Sequence, residues 1–275
     1  MPESRSAAQP LLTVEHLRKV YESSTGSVEA IGDISFQMNA GELVVIVGPS
    51  GCGKTTLLKC IAGLLRPTSG VVELEGKRVT GPPPNMALVF QEYGRSLYPW
   101  LTVRGNVDLP LKHKKLSRAE RDRLIDDALV AVGLDHAAKS YPWQLSGGMQ
   151  QRVAIARAVA YEPEVLIMDE PFAAVDAQTR ADLEDLVRTL HRERGMSILF
   201  VTHDIDESVY LGERVVVLSK SPTWVQEDLS IDLPAERDQL VTRALPRFTE
   251  LRTHVYEQIQ RAKRGEAVRP GATAA

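Results

Sequence analysis

Cysteine, aromatic residues and long apolar runs are all scarce in this chain, and each scarcity removes a class of protein. Among 275 residues there are 2 cysteines, and aromatic side chains make up 5%. Cys52 and Cys60 lie eight positions apart. That spacing suits neither a disulfide framework nor a closed zinc site, so reduced thiols in a cytosolic protein are expected. No apolar run approaches the ~20 residues that a helix needs to cross a bilayer. The start, MPESRSAAQP, has no apolar core, which argues against a secretory signal and for a disordered leader over 1–10. A basic excess is absent too. Against 33 Lys and Arg stand 36 Asp and Glu, for a net charge of −3, whereas a nucleic-acid partner calls for a strongly basic footprint. The rest of the composition, 43% hydrophobic and 25% charged, is that of a globular protein able to bury a large core.

What is present is organised around one stretch. Gly48-Pro49-Ser50-Gly51-Cys52-Gly53-Lys54-Thr55 meets every fixed position of G-x-x-x-x-G-K-[ST]. The apolar run Leu43 to Val47 precedes it, and a helix-permitting run from Thr56 to Ala62 follows. Glycines let such a loop bend until successive backbone N–H groups converge on a polyphosphate, and the helix N-terminus adds partial positive charge. Lys54 is expected to reach the β- and γ-phosphates, and the Thr55 hydroxyl to ligate Mg²⁺. Because the loop works through its backbone, the Cys52 side chain is expected to be a bystander whose modification by a bulky thiol reagent would block nucleotide access. A tight turn that merely contains Gly and Lys would not also supply the strand, the spacing and the Lys-Thr pair.

Around this loop the pattern alternates strand and helix. Strands are expected at Leu11 to Val20, Ile34 to Met38, Val71 to Leu74 and Met86 to Phe90, with a hairpin tip over Glu22 to Ser27. From Gln91 to about Ser140 the character becomes helical. Ser117-Arg118-Ala119-Glu120 reads as a capping box, and Leu124, Ile125, Ala128, Leu129 and Val132 follow at helical spacing. Short buried strands are expected again at Val165 to Met168, Ser197 to Val201 and Arg214 to Leu218. Trp224 to Leu233 reads as one exposed strand, and Phe248, Leu251, Val255 and Ile259 as a helical stripe. Such alternation argues for a mainly parallel α/β sheet with ligands at the carboxyl ends of its strands.

Two further stretches carry chemistry. The apolar strand ending in Asp169-Glu170 can supply a carboxylate to Mg²⁺ and a general base to water. An acidic pair at a strand end is by itself often no more than solvated charge, and the upstream phosphate loop is what raises its weight. Leu145-Ser146-Gly147-Gly148-Met149-Gln150-Gln151-Arg152 opens a helix with two glycines after a serine, a second anion-binding N-terminus. One phosphate chain does not need two such helices from one chain, but two copies arranged head to tail would use both.

With those residues in order, Leu11 to Leu218 resembles the nucleotide-binding subunit of ATP-binding cassette (ABC) transporters. The resemblance implies a P-loop NTPase fold with an antiparallel β subdomain and a helical insertion over about 92–160, inside a domain spanning 11–264. A C-terminal extension over about 221–264 and a disordered tail over 265–275 complete the chain. It also implies ATP and Mg²⁺ as ligands. Tyr21 would stack on adenine. Gly48 to Thr56 would hold the phosphates, and Ser146, Gly147 and Gly148 would contact the ATP of the opposite protomer. Thr55, Gln91 and Asp169 would serve Mg²⁺, while Glu170, His203 and Gln91 would handle the attacking water and γ-phosphate. Asp176 matches the loop that faces the second protomer, although Val175 stands where the family more often has Leu. Met149 replaces the commoner Gln of the signature.

Pro99-Trp100-Leu101-Thr102-Val103 looks like the nitrate/sulfonate/taurine importer group, as does Asp232-Leu233-Pro234 with the helix that follows. Glu236-Arg237 departs from that group's usual Pro-Arg, and the loop from Glu92 to Pro99 is longer than usual. Tyr93, Tyr98 and Trp100 are expected to form an apolar surface for a membrane subunit. The implied partners are a second copy of the chain, transmembrane permease subunits and, indirectly, a solute-binding protein. The implied location is the cytoplasmic face of the inner membrane, peripherally bound. Exporter or lipid-transport ATPases, and soluble ABC ATPases outside transport, are the alternatives.

Overall fold

The computed structural model describes residues 9–24, 26–91 and 96–266. Most of the expected leader and tail, together with Tyr93, lies outside the described residues. Two compact units result: one runs to Pro83 and resumes at Ser197, and the other spans Pro84–Met196.

In chain order the first unit begins with β1 (Leu12–Ser23), β2 (Gly26–Met38), β3 (Leu43–Val47), α1 (Lys54–Ile61), β4 (Ser69–Leu74) and β5 (Lys77–Arg78). The second unit supplies β6 (Met86–Val89), α2 (Val103–Leu111), α3 (Arg118–Ala131), α4 (Gly147–Ala160), β7 (Val165–Asp169) and α5 (Ala177–Arg194). The first unit then closes with β8 (Ser197–Val201), α6 (Ile205–Leu211), β9 (Arg214–Leu218), β10 (Thr223–Ser230) and α7 (Pro246–Arg264).

The strands of the first unit lie in the order β5-β4-β1-β2-β10-β9-β3-β8. β1, β2, β4 and β5 pair antiparallel. β3 pairs parallel with both β8 and β9. Every residue of Leu-Val-Val-Ile-Val in β3 is buried, because a parallel strand with both faces covered reads as an apolar run rather than an alternation. β2 shows the other pattern: Ile34, Phe36 and Met38 are buried, while Ser35 and Gln37 between them are exposed.

The expected exposed strand at Trp224 to Leu233 is corrected here. β10 pairs antiparallel with β9 and parallel with β2, so it lies inside the sheet and joins its two halves. Its polar residues find partners there: Arg214 Nε lies 2.9 Å from Asp228, and Glu227 lies 2.8 Å from His254 Nε2 of α7. The hairpin between β1 and β2 is also longer than expected, since the strands run on to Ser23 and back from Gly26. Phe248, Leu251, Val255 and Ile259 of α7 are buried, and the helix packs on α6, β9 and β10.

In the second unit β6 and β7 pair parallel, Met86 opposite Val165 through Val89 opposite Met168. α2, α3 and α4 pack against one another. The capping box of α3 forms as expected, with Ser117 and Glu120 each bonding the other's backbone N–H. Leu124, Ile125, Ala128 and Leu129 are buried, and each large one contributes about 1.5–3 kcal/mol over exposure. Asn106 is buried on the apolar face of α2. Its amide accepts from Tyr98 N–H at 2.8 Å and donates toward the carbonyls of Tyr98, Leu101 and Thr102 at 3.0–3.1 Å. One side chain thus holds the whole aromatic turn over 98–102.

Candidate functional site

In the first unit β3 ends at Val47 and α1 starts at Lys54, so the glycine loop spans the distance between them. Gly53 caps α1 with φ 98, a left-handed conformation that L side chains rarely adopt. No side chain caps this helix, and no acidic residue stands in its first turn. α2 to α6 differ: Thr102, Ser117, Ser146, Asp176 and Asp204 respectively accept from an N–H of the first turn. Gly53 has no side chain to cap α1, and a helix N-terminus whose N-cap residue supplies no acceptor is an arrangement that takes an anion. Lys54 is buried, and its Nζ donates to Gly48 O at 3.1 Å and Pro49 O at 3.3 Å. The ammonium is thus drawn across the loop it follows. Ser50, Gly51 and Thr55 are exposed, whereas Gly48, Pro49 and Cys52 are buried.

Tyr21 is 42% exposed. Its hydroxyl lies 3.2 Å from Thr56 Oγ1, and Lys19 Nζ stands 5.3 Å from the ring centroid. An open aromatic face beside the first turn of α1 suits a nucleobase. His203 is exposed just past the end of β8. Its neighbour Asp204 is the N-cap of α6, accepting from Glu207 N–H at 3.1 Å, so that carboxylate has a structural task.

Both thiols are buried, Cys52 at 1% exposure and Cys60 at 2%. Burial pushes the Cys60 pKa up to about 11, against a small opposing pull from Lys19. The Cys52 side chain turns behind the loop: a Cβ on Gly48 would stand 3.0 Å from its Sγ.

In the second unit β7 ends at Asp169, which is buried, and Glu170 follows with φ 42. A glutamate held in the left-handed region carries backbone strain, which structures retain where a side chain must be aimed. Gln91 is exposed just past β6. Ser146 caps α4, its hydroxyl oxygen accepting from Met149 N–H at 3.3 Å, so part of that side chain is engaged by its own helix. Gly148 meets the start of α5 closely: a Cβ there would stand 2.4 Å from Thr179 Cγ2. Thr179 is in turn held by Asp176, which accepts from its N–H at 2.9 Å and its hydroxyl at 2.7 Å. Those bonds, the backbone one first, lower the Asp176 pKa. The signature glycine and the Asp176 loop are therefore one packed cluster.

Among the described residues no group of three or more His, Cys, Asp or Glu could hold a metal ion. The hydroxyl of Thr55, the amide of Gln91 and the carboxylate of Asp169 are each oxygen donors of the kind that Mg²⁺ takes together with water and phosphate oxygens.

The aromatic turn is exposed as expected. Tyr98 and Trp100 meet edge-on at 5.3 Å, and Trp100 is 70% exposed. A second pair escaped the sequence reading: Tyr141 and Trp143 stack at 6.0 Å, with Trp143 71% exposed. The two segments adjoin, since Val103 N–H donates to Ser140 O at 2.8 Å. The signal available was Tyr141-Pro142-Trp143 just before the signature, an aromatic doublet in a turn.

Residues 31–173 match the sequence profile of the family described as "ABC transporter". The nitrate import ATP-binding protein NrtD of Synechocystis sp. is 45% identical over 227 residues, covering 82% of this chain and 85% of that protein. NrtC of Synechococcus elongatus, also named a nitrate import ATP-binding protein, is 41% identical over 260 residues; the match covers 93% of this chain but 39% of that longer protein. Among solved structures, the dimeric post-hydrolysis ATP-binding cassette MJ0796 bound to ADP and Pi is 32% identical with a TM-score of 0.69, over 80% of this chain and 98% of that one.

Proposed function

The chain belongs to the ABC transporter family and is an ATPase of the P-loop fold, and on that premise we propose that it powers an importer of small anions. The observation that carries the ATP chemistry is the glycine loop itself, closed by a helix whose first turn has no side-chain cap and crossed by the Lys54 ammonium. The cargo rests on the kinship with nitrate import subunits. Nitrate or another small anion, such as a sulfonate or taurine, is the substrate class.

Each named residue has a role in this reading. Gly48, Ser50, Gly51, Cys52 and Gly53 offer their backbone N–H groups to phosphate, and Pro49, which has none, shapes the loop and accepts from Lys54; Lys54 binds phosphate through its ammonium, and Thr55 and Thr56 through N–H and hydroxyl groups. Tyr21 stacks on the base. Thr55, Gln91 and Asp169, with water, would hold Mg²⁺, which would supply positive charge to the phosphates. Glu170 takes a proton from the attacking water, and His203 and Gln91 orient the reacting groups. Lys54 offsets charge that develops on the γ-phosphoryl oxygens. Ser146, Gly147 and Gly148 present an N-terminal helix turn to the ATP of a second copy, so the working unit is a head-to-tail dimer. The dimeric MJ0796 cassette supports this.

Among the described residues no helix is long and apolar enough to cross a membrane. In this reading the chain attaches at the cytoplasmic face through permease subunits, as kinship with transporter ATP-binding subunits suggests, and the four exposed rings of Tyr98, Trp100, Tyr141 and Trp143 are the surface that receives them. A solute-binding protein delivers the cargo indirectly.

Glu170→Gln tests the chemistry. It should retain ATP binding, accumulate an ATP-bound dimer, and lower turnover by ~10²–10⁴-fold. Turnover at the wild-type level removes Glu170 as the base.

A further inference from the structure

We infer that Thr223 is a positioning residue for the phosphate loop, acting through its hydroxyl on the Cys52 carbonyl; the inference rests on the loop's role in holding nucleotide. Thr223 opens β10 and is fully buried. Its Oγ1 is within hydrogen-bond reach of two backbone carbonyls, Cys52 O in the glycine loop and Ala30 O of β2, the latter at 3.1 Å. A hydroxyl carries one proton, so the Thr223 hydroxyl can give it to only one of the two carbonyls at a time. Ala30 precedes Ile31, the residue that Thr223 faces in the strand register, whereas Cys52 belongs to no strand.

The consequence follows from peptide geometry. In a planar trans peptide the carbonyl and the next N–H point in opposite directions. A donor clamped on the Cys52 carbonyl from the β10 side therefore turns the Gly53 N–H away from β10. Gly53 has left-handed backbone dihedrals, φ 98 and ψ 15, with few intrinsic restraints of its own. A Cβ on Gly53 would stand 3.2 Å from Ala30 O and 3.6 Å from Thr223 Oγ1, so the same hydroxyl and carbonyl also wall the loop's back. Leu218 completes that wall behind Gly48, where a Cβ would meet its Cβ at 3.0 Å and its carbonyl oxygen at 3.1 Å. Fixing one peptide plane in a glycine-rich loop presets the N–H groups that must converge on phosphate, which lowers the ordering cost of binding.

The hydroxyl, rather than the volume of the side chain, carries this role, and that separates it from packing. Thr223→Val keeps the shape and removes the donor. In the full-length chain it should weaken MgATP binding and raise the KM for ATP about tenfold, with kcat little changed, the signature of lost uniform binding. Thr223→Ser should keep both constants near wild type. Should the valine variant fold poorly, the Thr223→Ser and Thr223→Ala pair gives the same comparison, since both lack the methyl and only one has the donor. MgATP affinity in Thr223→Val equal to wild type overturns the inference, as does a serine variant that loses as much as valine or alanine. Lys54→Ala, measured alongside, separates the two levels: if it too binds ATP normally, the phosphate-loop reading itself fails. If only the Thr223 variants are silent, the loop stands and the positioning role falls.

Discussion

Gly148→Ala tests whether the signature helix and the Asp176 loop act as one cluster. The added Cβ would stand 2.4 Å from Thr179 Cγ2, where ordinary contact begins at 3.4 Å, so an overlap of 1.0 Å must be relieved. Thr179 cannot simply rotate, because its hydroxyl is bonded to Asp176 Oδ2 at 2.7 Å. Overpacking of this kind costs about 1–3 kcal/mol. The backbone effect runs the other way, since replacing Gly by Ala inside a helix gains up to about 1 kcal/mol. The net change in stability is therefore small and uninformative, and the coupling is the quantity to measure. Thr179→Ser deletes the clashing methyl and keeps the hydroxyl for Asp176. In that background Gly148→Ala should be neutral or stabilising, giving a coupling of about 1–3 kcal/mol in a double-mutant cycle. Urea unfolding of the four proteins supplies it. Additivity within about 0.5 kcal/mol refutes the steric contact.

The remaining expectations are shorter. Both thiols are buried and the Cys60 pKa is raised to about 11, so an aromatic disulfide reagent should titrate neither cysteine in the native protein and both after denaturation. A fast-reacting native thiol contradicts this. Should Cys52 be labelled by a maleimide after forced opening, ATP should protect it and labelling should abolish activity; full activity after confirmed labelling would show the loop tolerates the adduct. Asp176 has its pKa lowered from 3.8 by the Thr179 N–H and hydroxyl, so its contribution to stability is complete above that value and is lost as pH falls through the lower folded one. Wild type and Asp176→Asn should therefore differ in unfolding midpoint near pH 7, with the gap narrowing as pH falls below 3.8; a gap that stays constant as the carboxylate is protonated counts against the bond.

How much was legible in the sequence depended on the range of the forces involved. β3, β8 and β9 announce themselves because each is a short apolar run whose boundaries are its own chemistry. The α3 capping box is equally local, since Ser117 and Glu120 satisfy each other within one turn. β10 was misread because its polarity is compensated from far away. Gln226, Glu227 and Asp228 look like a solvated strand until Gln258, His254 and Arg214 are seen to meet them. No periodicity in Trp224 to Leu233 carries that information. Glu170 shows the same limit in backbone form: an Asp-Glu pair can be read as chemistry, but its left-handed φ of 42 cannot.

The phosphate loop shows both sides of this at one site. Its pattern is contiguous because the N–H groups that converge on a phosphate must come from successive residues, so spacing alone identifies it. Nothing requires the groups behind the loop to be contiguous. The donor facing the Cys52 carbonyl is Thr223, 171 positions later. The Leu218 wall behind Gly48 is nearly as distant along the chain. Both arrive by strand order, β10 beside β9 and β9 beside β3, rather than by any local code. A glycine-rich loop has little preference among conformers on its own, so the conformer competent for phosphate has to be selected by its surroundings. The residues that name the chemistry are therefore local, and those that hold it in readiness are topological.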